Sequence, residues 1–242
     1  MDEEPDKIAA LIAALHHPEK KVIRQAAEAL ISMAAVSPEL VERLRLLLIE
    51  TPAERRWPFG YVLAHLPPLS PECLNALTHT LESEDPDLRW ATAVLLVRLG
   101  KTEPGVTARL IGILKSGAPT QRRMAVYCLR DIGATDALSH QALLDALRDP
   151  EPLVRVAALT SLKGRPRLVQ NELEFLLRLL REDPDSRVRY SAALVLAKSA
   201  APTDEIRAAL QEAGRSGDAL LKKAANAALR LLQKKGPASS AE

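Results

Sequence analysis

Aromatic residues are scarce in this chain: two tryptophans, three tyrosines and two phenylalanines amount to 3% of 242 residues. That excludes a core built on large rings, and alanine and leucine must supply the ridges along which helices pack closely. Cysteine is rarer still. Cys73 and Cys128 cannot form the disulfide framework of a small secreted domain, which leaves two reduced, structural thiols. No apolar run approaches the length needed to span a bilayer, and the opening Met1-Asp2-Glu3-Glu4-Pro5-Asp6 has neither the positive segment nor the apolar stretch of a signal peptide. The expectation is a soluble, cytoplasmic protein with no membrane partner. Charge of one sign is also lacking. The 33 basic and 31 acidic side chains leave a net charge of +2, too small on its own to imply nucleic acid. Residues 1–100 carry 15 acidic and 10 basic side chains and residues 101–242 carry 16 and 23, a mild polarity of the kind solvated surfaces show.

What the chain does have is a period. Leu30, Leu63, Leu96, Leu129 and Leu162 recur every 33 residues, followed after one extra residue by Leu196 and then by Leu229. Repetition at this length marks a stack of identical supersecondary units, none of which can bury its apolar face alone. Seven residues before each leucine stands an anchor position: Ile23, Arg56, Arg89, Arg122, Arg155, Arg189 and Lys222. Ahead of the anchors lie leucine pairs spaced i,i+4, among them Leu44 and Leu48, Leu77 and Leu81, and Leu143 and Leu147, which form one face of a first helix. After the anchor, small or apolar residues fall at plus three, four, six and seven, as in Ala158, Leu159, Ser161 and Leu162. This is a second amphipathic helix. Between the two sits a proline turn: His17-Pro18, Thr51-Pro52, Asp85-Pro86, Ala118-Pro119, Asp149-Pro150 and Asp183-Pro184. Proline disfavours helix for the residue before it and tolerates only the first turn after it. Four residues before the anchor stand Glu19, Asp85, Glu151, Asp185 and Asp218, favourably placed at a helix start, and the last four are also spaced to pair with the basic anchor one turn on.

The segments Asp-Pro-Glu-Pro-Leu-Val-Arg-Val-Ala-Ala-Leu at 149–159 and Asp-Pro-Asp-Ser-Arg-Val-Arg-Tyr-Ser-Ala-Ala-Leu at 183–194 resemble the short HEAT-like repeats, also called bilin-lyase-like repeats. The resemblance covers roughly residues 7–235. It implies an all-α fold, an α-α superhelix or right-handed solenoid of about seven helix-turn-helix repeats. The ankyrin T-P-L-H-x-A pattern is absent, and the proline lies inside the unit, unlike the tetratricopeptide pattern. The expected organisation is an acidic N-terminal segment over 1–6, one solenoid domain over 7–235 and a disordered tail over 236–242. Gly214 in place of a leucine and the closing Lys234-Lys235 mark a divergent last repeat.

The plus-one, plus-five and plus-nine positions belong to none of the apolar columns. Both tryptophans and all three tyrosines fall at plus one or plus five: Trp57, Tyr61, Trp90, Tyr127 and Tyr190, with Val94 and Arg123 in the same columns. The resemblance implies that second helices line the concave side, so these seven residues are the candidate partner-binding site. Such rings bury large area at small entropic cost. The same rings could instead pack between repeats, and the sequence leaves both readings open.

Catalysis finds little support. His16, His17, His65, His79 and His140 are never followed by glutamate, whereas the HEAT-like deoxyhypusine hydroxylases hold iron with repeated His-Glu pairs. No Cys or His pair has zinc spacing. The expectation is a non-enzymatic scaffold with no catalytic residue, metal or cofactor, binding a protein or peptide partner. Nucleic acid is the alternative partner, as in the HEAT-like DNA glycosylases. It would be held by Arg56, Arg89, Arg122, Arg123 and Arg155 with Trp90, Tyr127 and Asp131. A bilin-lyase-like enzyme or accessory subunit is a further alternative. The feature that separates the first two is whether the anchor arginines are free or tied to Asp85, Glu151 and Asp185.

Overall fold

The computed structural model describes residues 3–133, 136–162, 170–199 and 203–234; the tail expected over 236–242 lies outside them. The chain divides into two compact units, Met1–Arg109 and Leu110–Glu242. The first holds α1 (Glu3–Ala14), α2 (Lys20–Ala34), α3 (Pro38–Glu50), α4 (Trp57–Leu63), α5 (Pro71–Thr80) and α6 (Pro86–Gly100). Helix α7 (Pro104–Ser116) crosses the division. The second unit holds α8 (Pro119–Ile132), α9 (Ala137–Asp145), α10 (Pro152–Leu162), α11 (Gln170–Glu182), α12 (Ser186–Ser199), α13 (Asp204–Gly214) and α14 (Ala219–Lys234). The described residues are all-α, as the period requires, and the helices form seven pairs.

Local chemistry explains where the helices start. Proline is the first residue of α3, α5, α6, α7, α8 and α10, where its missing N–H costs nothing and its fixed φ suits the helix. Side-chain caps precede several of them: Ser37 accepts from the Leu40 amide at 3.2 Å, Ser70 from Cys73 at 3.2 Å and Asp136 from Ser139 at 2.9 Å. Each satisfies one of the otherwise orphaned N-terminal amides. Helix α8 ends at Gly133, whose φ of 75° lies in the left-handed region that glycine adopts without penalty.

Packing follows the two columns of leucine. In the second unit α8, α10, α12 and α14 each lie against the next, while α11 lies against α13 in a parallel row of first helices. In the first unit α2 meets α4 and α3 meets α5 in the same manner. The recurring leucines fill these rows: Leu30, Leu96, Leu129, Leu162 and Leu196 are fully buried and Leu63 nearly so. Leu229 is only half-buried, because no described helix pair follows α14 to cover it. Cys73 and Cys128 are free and buried, and burial pushes both thiols up to about 12, so neither is a thiolate near neutral pH.

Candidate functional site

In the first unit the aromatic columns form a connected cluster. Trp57 and Tyr61 sit one turn apart on α4, with ring centroids 5.3 Å apart. Tyr61 in turn lies 4.7 Å from His65, just beyond the end of the helix. The cluster is tied to the next second helix at both ends. Trp57 Nε1 donates to Thr92 Oγ1 at 2.8 Å, and the buried Thr92 hydroxyl itself donates to the Leu88 carbonyl at 2.8 Å. At the other end Arg98 Nη2 lies 2.7 Å from His65 Nε2. A guanidinium can only donate, so Nε2 accepts and the ring proton sits on Nδ1, which donates to the Tyr61 carbonyl at 2.8 Å. Trp57 and Tyr61 are therefore half-buried rings that also link α4 to α6.

Trp90 and Val94 differ. They lie one turn apart on α6 and expose 58% and 55% of their surface. Arg98, one turn beyond Val94, is exposed on the same face and Ala91 is exposed beside it, whereas the tethered Thr92 is buried on the opposite side of the helix. A large indole is thus presented to water beside a second exposed apolar side chain.

The three remaining candidates belong to the second unit. Arg123 and Tyr127 are half-buried on α8 and Tyr190 half-buried on α12. Arg130 lies over the Tyr127 ring at 5.1 Å and donates to both oxygens of Asp131, at 2.7 and 3.0 Å. Asp131, which the glycosylase-like arrangement needs as a free carboxylate, is thus held by its neighbour.

The anchor arginines are engaged, but not as the spacing suggested. The expected partners, one turn back at Asp85, Glu151 and Asp185, are not the ones used. Each arginine instead donates backwards to a turn carbonyl of its own repeat: Arg56 to Thr51 at 2.7 Å, Arg89 to Ser83, Arg122 to Gly117 at 2.8 Å, Arg155 to Asp149 at 2.8 Å and Arg189 to Asp183 at 2.6 Å. From repeat four onward it also reaches forward to the turn aspartate of the following repeat. Arg122 grips both oxygens of Asp149 at 2.7 Å, Arg155 both oxygens of Asp183 at 2.8 and 2.7 Å, and Arg189 reaches Asp218 at 3.0 Å. The correction has a geometric reason. An i,i+4 pair lies on the outer surface of one helix, whereas the anchor side chain points along the row of second helices toward the next turn. Those aspartates are already pinned, since Asp149 and Asp183 accept from the amides of Glu151 and Asp185 at 2.8 and 2.9 Å. Asp185 pairs with Arg187 at 2.7 Å, and that guanidinium holds its carboxyl down to about 2.

Sequence reasoning missed His65, Thr92 and Arg98. The signal was present, because His65 and Arg98 are the plus-nine residues of successive repeats, on the same face as plus one and plus five. The other histidines are occupied locally. His16 packs edge-on against Phe59 at 5.5 Å, and burial, followed by the nearby Arg55 charge, lowers its pKa. His17 accepts from the Glu19 amide, His79 meets Glu82 at 2.8 Å and His140 meets the buried Glu172 at 2.7 Å. Among the described residues no group of three or more His, Cys, Asp or Glu side chains could hold a metal ion, and no helix is long and apolar enough to cross a membrane.

Helix pairs of this period, packed in two rows with a proline turn and an inter-repeat arginine, define a protein of tandem α-α repeats. Residues 140–230 match the family model for HEAT repeats, so this segment of the chain carries HEAT-like repeats. Among solved structures it is similar to an engineered protein (21% identity, 93% of this chain and 68% of that chain, TM-score 0.46). It is also similar to human deoxyhypusine hydroxylase (17%, 94% and 84%, TM-score 0.43). A third similarity is to computationally designed armadillo repeat proteins for modular peptide recognition (17%, 94% and 98%, TM-score 0.43). None of the three carries an activity or a ligand over to this chain. No match was found among curated proteins.

Proposed function

We propose that this chain is a non-enzymatic scaffold that binds a protein or peptide partner, and that Trp90 and Val94 on α6 are the centre of the contact. The observation that carries this reading is the exposure of both side chains in a chain with only two tryptophans. An indole with an apolar neighbour, set on a helix tied to its neighbour through Thr92 and Arg98, is the arrangement from which interface anchors are built. Trp57 and Tyr61 support the face from behind, and the Trp57 indole N–H is already spent on Thr92. The nucleic-acid alternative loses its main residues, because Arg56, Arg89, Arg122 and Arg155 all spend donors on their own turns.

The test is direct. Proteins captured on the immobilised chain are identified, and their affinity is then titrated against the parent and against Trp90→Ala. A lost anchor of about 2 kcal/mol weakens binding about 30-fold, with the melting temperature unchanged. Equal affinity for both forms overturns the assignment of Trp90.

A further inference from the structure

In the second unit a shallow open groove of about 390 Å³ lies between the turn of repeat five and the turn of repeat six. Its chemistry is unlike that of the aromatic face. Phe175 on α11 carries two guanidiniums over its ring, that of Arg148 at 4.3 Å and that of Arg178 at 4.6 Å. Arg178 comes from the next turn of the same helix, and Arg148 from the short 3₁₀ turn Ala146–Arg148 before the Asp149-Pro150 turn. Both arginines are exposed and Phe175 is half-buried.

Each cation is attracted to the ring face, yet neither is paired with a carboxylate. No salt bridge or hydrogen bond joins either of them to any described residue, in contrast to Arg122, Arg155 and Arg189 in the same unit. The neighbouring carboxylates of Asp149 and Asp183 are committed to Arg122 and Arg155. Two like charges are thus held over one ring without a direct ion pair, although Glu182 also lines the groove, and an incoming oxyanion accepts from their unused donors. Beside the two cations the exposed ring of Pro150 lines the groove and offers apolar surface with no N–H, while Leu147 and Leu179 are buried in its wall.

We infer that this groove binds an acidic segment of a protein, a glutamate or aspartate carboxylate seated between Arg148 and Arg178 with an adjoining apolar side chain on Phe175. The site is separate from the Trp90 face and does not depend on it. A polyanion such as nucleic acid fits less well than a single carboxylate, because the other arginine lining the groove, Arg155, is committed to Asp183.

The proposal is tested by fluorescence anisotropy on the full chain, with a short labelled peptide centred on Leu-Glu-Glu-Leu and its Leu-Gln-Gln-Leu counterpart. The glutamate peptide is expected to bind about tenfold or more tightly than the glutamine peptide, and to weaken as salt is raised. Arg148→Gln and Arg178→Gln, both surface changes, should each lose most of that preference. The double charge reversal Arg148→Glu with Arg178→Glu should transfer the preference to a Leu-Lys-Lys-Leu peptide. Equal binding of the two original peptides overturns the proposal. So does a glutamate preference that survives both glutamine variants, or tighter binding of a single-stranded oligonucleotide through the same arginines.

Discussion

The two units solve the same problem differently. Each must hold one helix pair against the next, and each places an arginine at the start of its second helix. In the second unit that arginine meets an aspartate in the next turn: Asp149, Asp183 and Asp218 serve Arg122, Arg155 and Arg189 in succession. In the first unit Ser83 stands in the register of Asp149 and Asp183 and Asp85 in that of Asp218, and Arg56 donates to the backbone carbonyls of Thr51 and Ile49 instead. The link from α4 to α6 is made instead by Trp57 with Thr92 and by His65 with Arg98. The two units thus connect successive repeats through different side chains although both place an arginine at the anchor position. Where the staple is present, the plus-one positions are relieved of that duty. Where it is missing, rings are drawn into it. The segment that matches the HEAT repeat model, 140–230, lies in the part of the chain where the staple recurs.

The largest expected effect comes from breaking a staple. Arg155 is 8% exposed and Asp183 7%, so Arg155→Ala leaves a buried carboxylate without its partner and should cost about 3–5 kcal/mol, read as a shift in the denaturation midpoint. Arg56→Ala strands no carboxylate and should cost about 1 kcal/mol. Equal losses would abolish the distinction between the units. Leu129→Ala tests the shared element rather than the difference: its side chain is fully buried, and the loss should be about 2–5 kcal/mol.

A transplant sharpens the comparison. Ser83→Asp places a carboxylate in the register that Asp149 and Asp183 occupy, within reach of Arg56, and should raise stability by up to about 1 kcal/mol. In that background Trp57→Phe, which deletes the bond to Thr92, should cost less than the ~1 kcal/mol expected in the parent. Trp90→Ala stands apart from all of these, since an exposed side chain should change stability by no more than about 0.5 kcal/mol.

The smallest effect is in acid. Asp185 is held down to about 2 by Arg187, against an ordinary aspartate near 3.9. Its folded form therefore has the lower pKa, so its contribution is complete above about pH 4 and fades as pH falls toward 2. Asp185→Asn should therefore lower stability slightly at neutral pH and flatten the profile in that window, the two forms converging as pH falls toward 2.

The sequence by itself determined the repeat: which leucines are buried, where prolines start helices, and that the described chain is all-α. Those follow from local rules, because a 33-residue period, an i,i+4 face and a proline act within one unit whatever its neighbours do. It also put Trp57, Tyr61, Trp90 and Val94 on one helix face, since that is a matter of counting turns. What only the tertiary structure decided is the use each residue is put to. Trp57 became a link and Trp90 an exposed ring, though both stand in the same column, because Thr92 lies where the first indole can reach it and no described group plays that part for the second. The arginines passed over the acids one turn away for the next repeat's aspartates, and Phe175 gathered Arg148 and Arg178 from two elements. These outcomes depend on distances between residues remote in the chain, which spacing along one helix cannot encode.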